Sequence, residues 1–106
     1  MKLLKLKSQQ AFSEVFAKGA KRVHTCFVLY RLDVAGADSV HIGVIASKKQ
    51  FKRAVDRNFA KRRLRALARD YCLQSGLASG VHIIMVARSR ILHADFHSLQ
   101  RDLKKQ

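Results

Sequence analysis

The sequence predicts one small domain of mixed helices and strands, α/β in the broad sense and α+β in class, in which the helices and a short sheet share a single core. Segments with helical spacing of apolar residues alternate along the chain with short segments rich in β-branched and aromatic residues. The length of 106 residues and the 48% of hydrophobic residues suit one domain with one modest core. We therefore treat residues 1–106 as a single domain, with residues 1–7 as a flexible basic N-terminus.

The first predicted element is a helix over residues 9–16. Ser8 can cap its beginning, and Gly19 is a natural residue for its end. Phe12, Val15 and Phe16 then share one face, which is the face expected to pack on the sheet.

Strands are predicted in the next part of the chain. Residues 24–32 and 40–46 are rich in β-branched and aromatic side chains, and residues 33–39 between them are typical of a hairpin loop. A further short strand near residues 21–23 would raise the number of strands before the loop from one to two.

The second half of the chain predicts a long helix, a strand and a final helix. Residues 53–73 contain neither Pro nor Gly and follow a helical period, ending before Gly76. Residues 81–87 are almost continuously apolar, which indicates a central strand covered on both faces. A last helix begins near Ala94, and its apolar residues recur at spacings of three and four: Phe96, Leu99 and Leu103.

The charge of the chain is strongly one-sided. It has 22 Lys and Arg against 7 Asp and Glu, a formal net charge of +15. Such a field over a small surface favours a polyanionic partner, and nucleic acid is the obvious candidate. No apolar run approaches the roughly 18 residues that cross a bilayer, so we expect a cytoplasmic protein without a membrane partner.

The sequence offers no convincing catalytic or metal site. Acidic residues are scattered one per element, and Cys26 and Cys72 lack the close spacing of thiolate zinc ligands. His93 and His97 are four apart in the last predicted helix and could in principle hold a metal, but a solvated pair is the favoured interpretation. The other histidines, His24, His41 and His82, are isolated in the sequence.

The long helix carries two stripes on a helical wheel. The apolar stripe, expected to face the sheet, consists of Ala60, Leu64, Leu67, Ala68 and Tyr71. Beside it lies what we call the basic row: Asn58, Lys61, Arg62, Arg65 and Arg69. Neighbouring cations repel one another by several tenths of a kcal/mol per pair, roughly, so the row needs an anionic partner. The planar guanidinium of Arg, the ammonium of Lys and the side-chain amide of Asn can all bind the backbone or bases of folded RNA. The alternative interpretation is a basic face that is merely solvated.

At this helix the sequence also resembles a known family. Residues 47–49 (Ser-Lys-Lys) and 53–65 (Arg-Ala-Val-Asp-Arg-Asn-Phe-Ala-Lys-Arg-Arg-Leu-Arg) resemble the arginine-asparagine-arginine signature of bacterial ribonuclease P protein subunits. Residues 11–19, 27–30 and 40–49 are similar to that family's first helix and strands. Residues 81–87 and the last helix fall where the family has its final strand and helix, so the likeness covers nearly the whole chain. The third signature position departs from the pattern, because it is Phe59.

The resemblance implies a fold. It is a two-layer α/β sandwich with helix-strand-strand-strand-helix-strand-helix order, a small mixed sheet and a left-handed crossover at the signature helix, like the second domain of a small-subunit ribosomal protein. Most crossovers are right-handed, so the handedness rests on the resemblance alone.

The resemblance also implies a function, which is binding of the ribonuclease P RNA and of the 5′ leader of precursor tRNA, so that the leader is removed endonucleolytically. By this resemblance, Mg²⁺ ions held mainly by the RNA subunit would cleave the precursor tRNA, and this chain would hold no catalytic residue. The resemblance implies no organic cofactor and no obligate protein partner. Residues matched to RNA-subunit binding are Lys48, Lys49, Arg53, Arg57, Asn58, Lys61, Arg62, Arg65 and Arg69. Residues matched to leader binding are Phe12, Phe16 and Tyr30, whose rings can stack on unpaired bases.

Other interpretations remain open from the residues alone. Phe12, Phe16 and Tyr30 would serve equally well as core residues. A basic ribosomal or assembly protein would use the same cations for ribosomal RNA, and a free-standing basic nuclease would need the histidines.

Overall fold

The computed structural model describes residues 3–34, 39–75 and 80–104. In chain order the elements are β1 (Leu3–Lys5), α1 (Gln9–Lys18), β2 (Ala20–Val23), β3 (Phe27–Asp33), β4 (Val40–Ile45), α2 (Ala54–Ser75), β5 (Val81–Ala87), a 3-10 turn (Ser89–Leu92) and α3 (Phe96–Lys104). The short strand before β3 is therefore present as β2. Residues 35–38 of the predicted hairpin loop, and Gly76, lie outside the described residues.

The described strands form one mixed sheet in the order β1-β4-β5-β3-β2. β5 is central, parallel to β4 and antiparallel to β3, as its almost continuous apolar character predicts. The β4-α2-β5 connection joins neighbouring parallel strands, and it is the crossover that the resemblance predicts to be left-handed.

Both faces of the sheet carry a helix. Ile83 and Met85 of β5 are buried in the cluster formed with α2 and α3, whereas Ile84 points to the opposite face and is buried with Val15 of α1. This alternation follows from the two-residue period of a strand. The predicted α+β sandwich with a small mixed sheet is confirmed.

Residues 3–5 of the expected flexible N-terminus form a strand, β1, and the flexibility of residues 1–7 stays a prediction. β1 pairs in parallel with β4, from Leu3 opposite Val40 to Lys5 opposite Ile42, and Leu6 is buried. The element order therefore starts with a strand before α1. Pairing satisfies part of the otherwise open backbone edge of β4, and this gain depends on residues far away in sequence.

The ends of α1 are fixed as the sequence predicts. The Ser8 hydroxyl oxygen accepts a hydrogen bond from the backbone N–H of Ala11 at 3.3 Å. At the other end, the Gly19 N–H donates to the Val15 carbonyl at 2.8 Å.

Within residues 3–34, 39–75 and 80–104, no helix is both long and apolar enough to cross a bilayer.

Candidate nucleic-acid interface

The two stripes of α2 lie in the environments that the helical wheel predicts. Ala60, Leu64, Leu67 and Ala68 have no exposed surface and belong to the main core. Tyr71 is partly buried, and its hydroxyl oxygen accepts a hydrogen bond from Arg31 at 3.2 Å. The apolar stripe therefore anchors α2 on the sheet and sets which side chains face outward.

The basic row lies along the outer side of α2. Asn58, Arg62, Arg65 and Arg69 are exposed, and Lys61 is half-buried. Among the residues that the structure describes, the ion pairs are His24–Asp102, Arg31–Asp33 and Arg53–Asp56, so no cation of the row is neutralised by a carboxylate. The prediction of one shared, uncompensated cationic face is confirmed, while its RNA-binding role stays a prediction.

The residues before the row have more varied surroundings. Lys48 and Lys49 are exposed in the turn between β4 and α2. Arg53 is 76% exposed, with its Nε 3.8 Å from the Asp56 carboxylate. Arg57 donates from Nη1 to the backbone carbonyls of Phe51 at 3.0 Å and Lys52 at 3.2 Å. The Arg57 guanidinium therefore holds the segment that leads into α2, a role that the sequence did not reveal.

Phe59, the departure from the family signature, has a structural partner. Its ring lies 4.8 Å from the guanidinium carbon of Arg63, and the ring of Phe96 lies 5.8 Å from that carbon on the α3 side. Arg63 also donates a short hydrogen bond to the Ala94 carbonyl. Phe59 thus helps hold a guanidinium that joins α2 to the segment before α3, and it does not extend the basic row.

The predicted leader-binding aromatics lie on the α1 side of the sheet. Phe16 is 42% exposed, and its ring meets that of Tyr30 edge to face at 4.8 Å. The ammonium of Lys21 lies 5.9 Å from the centre of the Tyr30 ring. Phe12 is partly buried against the smaller core cluster, beside Gly43. The structure brings Phe16 and Tyr30 together as an accessible pair next to a cation.

A cleft of about 260 Å³ opens beside β1 and β4, and we call it the edge cleft. Its apolar walls come from both strands and from Phe12, and its cations are Lys5, Lys61, Arg65 and Arg69. It joins one residue of the predicted leader set with three of the predicted RNA-subunit set. Sequence reasoning missed Lys5, although the alternation of Leu and Lys in residues 3–7 is itself a strand signal.

The described histidines do not form the metal pair considered from the sequence. His93 follows the 3-10 turn, outside α3, so it does not share a helical face with His97. His24 and Asp102, which are 78 residues apart in the sequence, form a hydrogen bond with 2.8 Å between Nε2 and Oδ2. The rings of His41 and His82 lie 5.0 Å apart on adjacent strands, so these two are not isolated.

Five acidic side chains of the described residues have a polar or cationic partner. Asp33 and Asp56 approach arginines, Asp70 accepts from Gln100, Asp95 accepts from Ser98, and Asp102 contacts His24. No group of three His, Cys, Asp or Glu side chains in the described parts of the chain is arranged to hold a metal ion.

Both cysteines are buried. Burial raises the pKa of the Cys26 thiol, and it raises the pKa of Cys72 to about 11. Because the thiolate is the reactive form, these thiols are poorly suited to nucleophilic chemistry near neutral pH. The His24 Nδ1 accepts the backbone N–H of Cys26 at 3.0 Å, so it does not activate the thiol.

Comparison with known proteins agrees with this arrangement. The family model described as Ribonuclease P matches residues 1–106. The ribonuclease P protein component of Caldanaerobacter subterraneus subsp. tengcongensis is 36% identical over 104 residues, covering 98% of this chain and 86% of that protein. The corresponding component from Pseudanabaena is 34% identical over 100 residues, covering 94% and 84%. The solved Staphylococcus aureus RNase P protein superposes with a TM-score of 0.76 at 25% identity, covering 98% of this chain and 92% of that one. This chain therefore belongs to the ribonuclease P protein family.

Proposed function

We propose that this chain is the RNA-binding protein subunit of a tRNA-processing ribonuclease, in which the basic row binds the RNA subunit. The observation that carries the proposal is the row itself: Lys61, Arg62, Arg65 and Arg69 share one side of α2 and have no carboxylate partner in the described structure. Phosphates would relieve their mutual repulsion and release counterions, which favours a polyanion over any neutral partner. Lys48, Lys49, Arg53 and Asn58 would extend this surface, and Arg57 would combine RNA contact with its bonds to Phe51 and Lys52.

The 5′ leader of precursor tRNA is the second proposed ligand. Phe16 and Tyr30 offer accessible ring surface beside Lys21. Phe12, the third ring matched to the leader, precedes Phe16 on α1 by four residues and is partly buried. Unpaired bases stack on such rings with about 1–3 kcal/mol each and little demand on sequence. This chemistry suits a protein that positions many different leaders while its partner cleaves them.

The chain's own role is to bind and orient RNA in the cytoplasm, without a membrane partner or an obligate protein partner. Magnesium ions activate water and stabilise a leaving oxygen in phosphodiester cleavage. We place those ions mainly on the RNA subunit and assign no catalytic residue and no organic cofactor to this chain.

The salt dependence of binding to the RNA subunit tests the basic row. Lys61→Ala or Arg65→Ala should each reduce the slope of log affinity against log salt by about one unit. Arg101→Ala removes the same charge from exposed α3 and is the matched control, with an expected slope equal to that of the unmodified protein. Unchanged slopes for the row variants, or equally tight binding to a ribosomal RNA fragment, would contradict the proposal.

The leader assignment has a separate test. Phe16→Ala should weaken binding of precursor tRNA to the assembled ribonucleoprotein by about tenfold, the equivalent of one stacked base, and leave mature tRNA binding unchanged. An equal loss for the two ligands would show that Phe16 has no leader-specific role.

A further inference from the structure

The apolar lining of the edge cleft comes from residues 3–6, from Phe12 and from residues 42–44. Leu3 and Ile42 pack against the main core, whereas Leu6 is buried with α1, so the cleft opens where the two faces of the sheet meet at its edge. β1 pairs with β4 only from Val40 to Ile42, and Gly43 and Val44 of β4 line the cleft beyond that pairing.

Gly43 determines how Phe12 lines this cleft. A Cβ at position 43 would lie 2.7 Å from Cζ and 2.8 Å from Cε1 of Phe12, closer than carbon atoms can approach. The Phe12 ring therefore occupies the space above the strand that a side chain would otherwise fill. The absence of a side chain at Gly43 places a flat aromatic surface at the wall of the cleft.

The charged lining of the cleft is uniformly cationic. Lys61, Arg65 and Arg69 come from α2, Lys5 comes from β1, and no carboxylate is among the lining residues. An apolar ligand would leave these charges uncompensated, and a simple anion would leave the apolar wall exposed to water. The lining fits a ligand with a flat apolar body and an anionic group.

We propose that the edge cleft binds one unpaired nucleotide of the RNA subunit, with its base against Phe12 and the apolar wall and its phosphate beside Lys61 and Arg65. This inference rests on the proposed function and adds a specific site to it. It assigns Phe12 to the RNA subunit, which leaves Phe16 and Tyr30 for the leader. The volume of about 260 Å³ is below the roughly 300–1,000 Å³ of pockets for drug-sized ligands, which suits a single base. Lys61, Arg65 and Arg69 belong to the basic row, so the nucleotide comes from the RNA that the row binds.

Site-directed cross-linking tests the location of this nucleotide. Leu4 lines the cleft and is 44% exposed, and both native cysteines are buried with raised pKa, so Leu4→Cys can be labelled selectively with a photoreactive maleimide. In the complex with the RNA subunit alone, the label should cross-link to one unpaired nucleotide. The same label at Leu73→Cys, 64% exposed near the end of α2, should not reach that nucleotide.

A filling substitution tests the cleft without removing charge. Val44→Phe occupies the cleft and leaves every cation in place, so RNA affinity should fall by about tenfold at unchanged salt slope, as expected for the loss of one stacked base. Leu4→Trp fills the mouth at an exposed position and provides a second variant if Val44→Phe unfolds.

The outcomes separate this proposal from the proposed function. Unchanged RNA affinity in the folded filling variants, or a Leu4→Cys cross-link that appears only when precursor tRNA is added, would overturn the assignment to the RNA subunit. Failure of the proposed function itself would be seen in the salt-dependence experiment, as an unchanged slope of log affinity against log salt for Lys61→Ala.

Discussion

Arg62 and Arg63 are adjacent in the sequence, but α2 turns them into different surroundings. Arg62 is exposed in the basic row, whereas Arg63 lies between the rings of Phe59 and Phe96 and donates to the Ala94 carbonyl. A guanidinium can serve either purpose, because it binds phosphate as readily as it stacks on aromatic rings. The helical turn of about 100° per residue decides which purpose each side chain serves.

This contrast predicts opposite phenotypes for two neighbouring substitutions. Arg63→Ala should lower the free energy of unfolding by about 1.5–3 kcal/mol, because a charged hydrogen bond and two ring contacts disappear. Arg62→Ala should change it by less than about 0.5 kcal/mol and should instead reduce the salt slope of RNA binding. Urea unfolding and salt-dependent binding measure the two effects, and a larger stability loss for Arg62→Ala would refute the assignment.

The His41–His82 pair is a second case in which single residues acquire meaning from the fold. Burial and the neighbouring His41 lower the pKa of His82, while Glu14 acts in the opposite direction. The Nδ1 atom of His41 is buried and has no hydrogen-bond partner among the described residues. The lowered pKa makes proton uptake by His82 less favourable in the folded protein than in the unfolded chain.

A lowered pKa for His82 sets the sign of a pH effect. The stability contributed by neutral His82 is present above its unfolded-state pKa of about 6.5 and is lost as pH falls through the lower folded-state value. Urea midpoints at about pH 8 and pH 5 should therefore differ more for the unmodified protein than for His82→Gln. The same difference in both proteins would show that other groups cause the acid sensitivity.

At the level of elements, the joint between α1 and β2 depends on a close backbone approach. Gly19 has an ordinary φ of −72°, so its conformation does not require glycine. A Cβ there would lie 2.5 Å from the Val15 carbonyl oxygen and 3.0 Å from that of Arg31. The glycine lets the end of α1 approach the chain at Arg31 of β3.

The Gly19→Ala substitution should therefore destabilise the protein. At positions where alanine fits, this change usually stabilises by about 0.4–1 kcal/mol through the unfolded chain. Here the obstructing atoms are backbone atoms that cannot rotate away, and we expect a loss of about 1–3 kcal/mol. Chemical denaturation of Gly19→Ala and of the unmodified protein measures the change in the free energy of unfolding. Any gain in stability for Gly19→Ala would contradict the close backbone approach.

The whole molecule combines a well-buried core with a surface of one dominant sign. A net charge of +15 on 106 residues repels itself in the free protein, and the ion pairs among described residues involve few of the 22 cations. The isolated protein is therefore strained electrostatically in a way that bound RNA would relieve.

This self-repulsion predicts a positive salt effect on stability. Raising potassium chloride from about 0.05 M to 0.5 M shortens the screening length severalfold, so the urea midpoint of the free protein should rise. In the complex with the RNA subunit the same salt should lower the midpoint, because it weakens binding. A fall in the midpoint of the free protein would show that attractive pairs outweigh repulsion.

The sequence by itself determined the features that depend on neighbours along the chain. Period-2 and period-3.6 patterns located β3, β4, α2, β5 and α3 closely, and the basic row followed from helical spacing in an uninterrupted helix. Residues three and four apart in a helix must share a face, so no tertiary information was needed to place these cations together.

Only the tertiary structure decided the contacts between distant parts of the chain. The alternation of Leu and Lys is compatible with β1, but it is too short to identify a strand by itself, and the pairing depends on β4, more than thirty residues away. The His41–His82 contact and the cleft that joins Phe12 to Lys61 also depend on which strands become neighbours. Local periodicity determines which face a side chain occupies, but the surroundings of that face arise only when separate elements pack together.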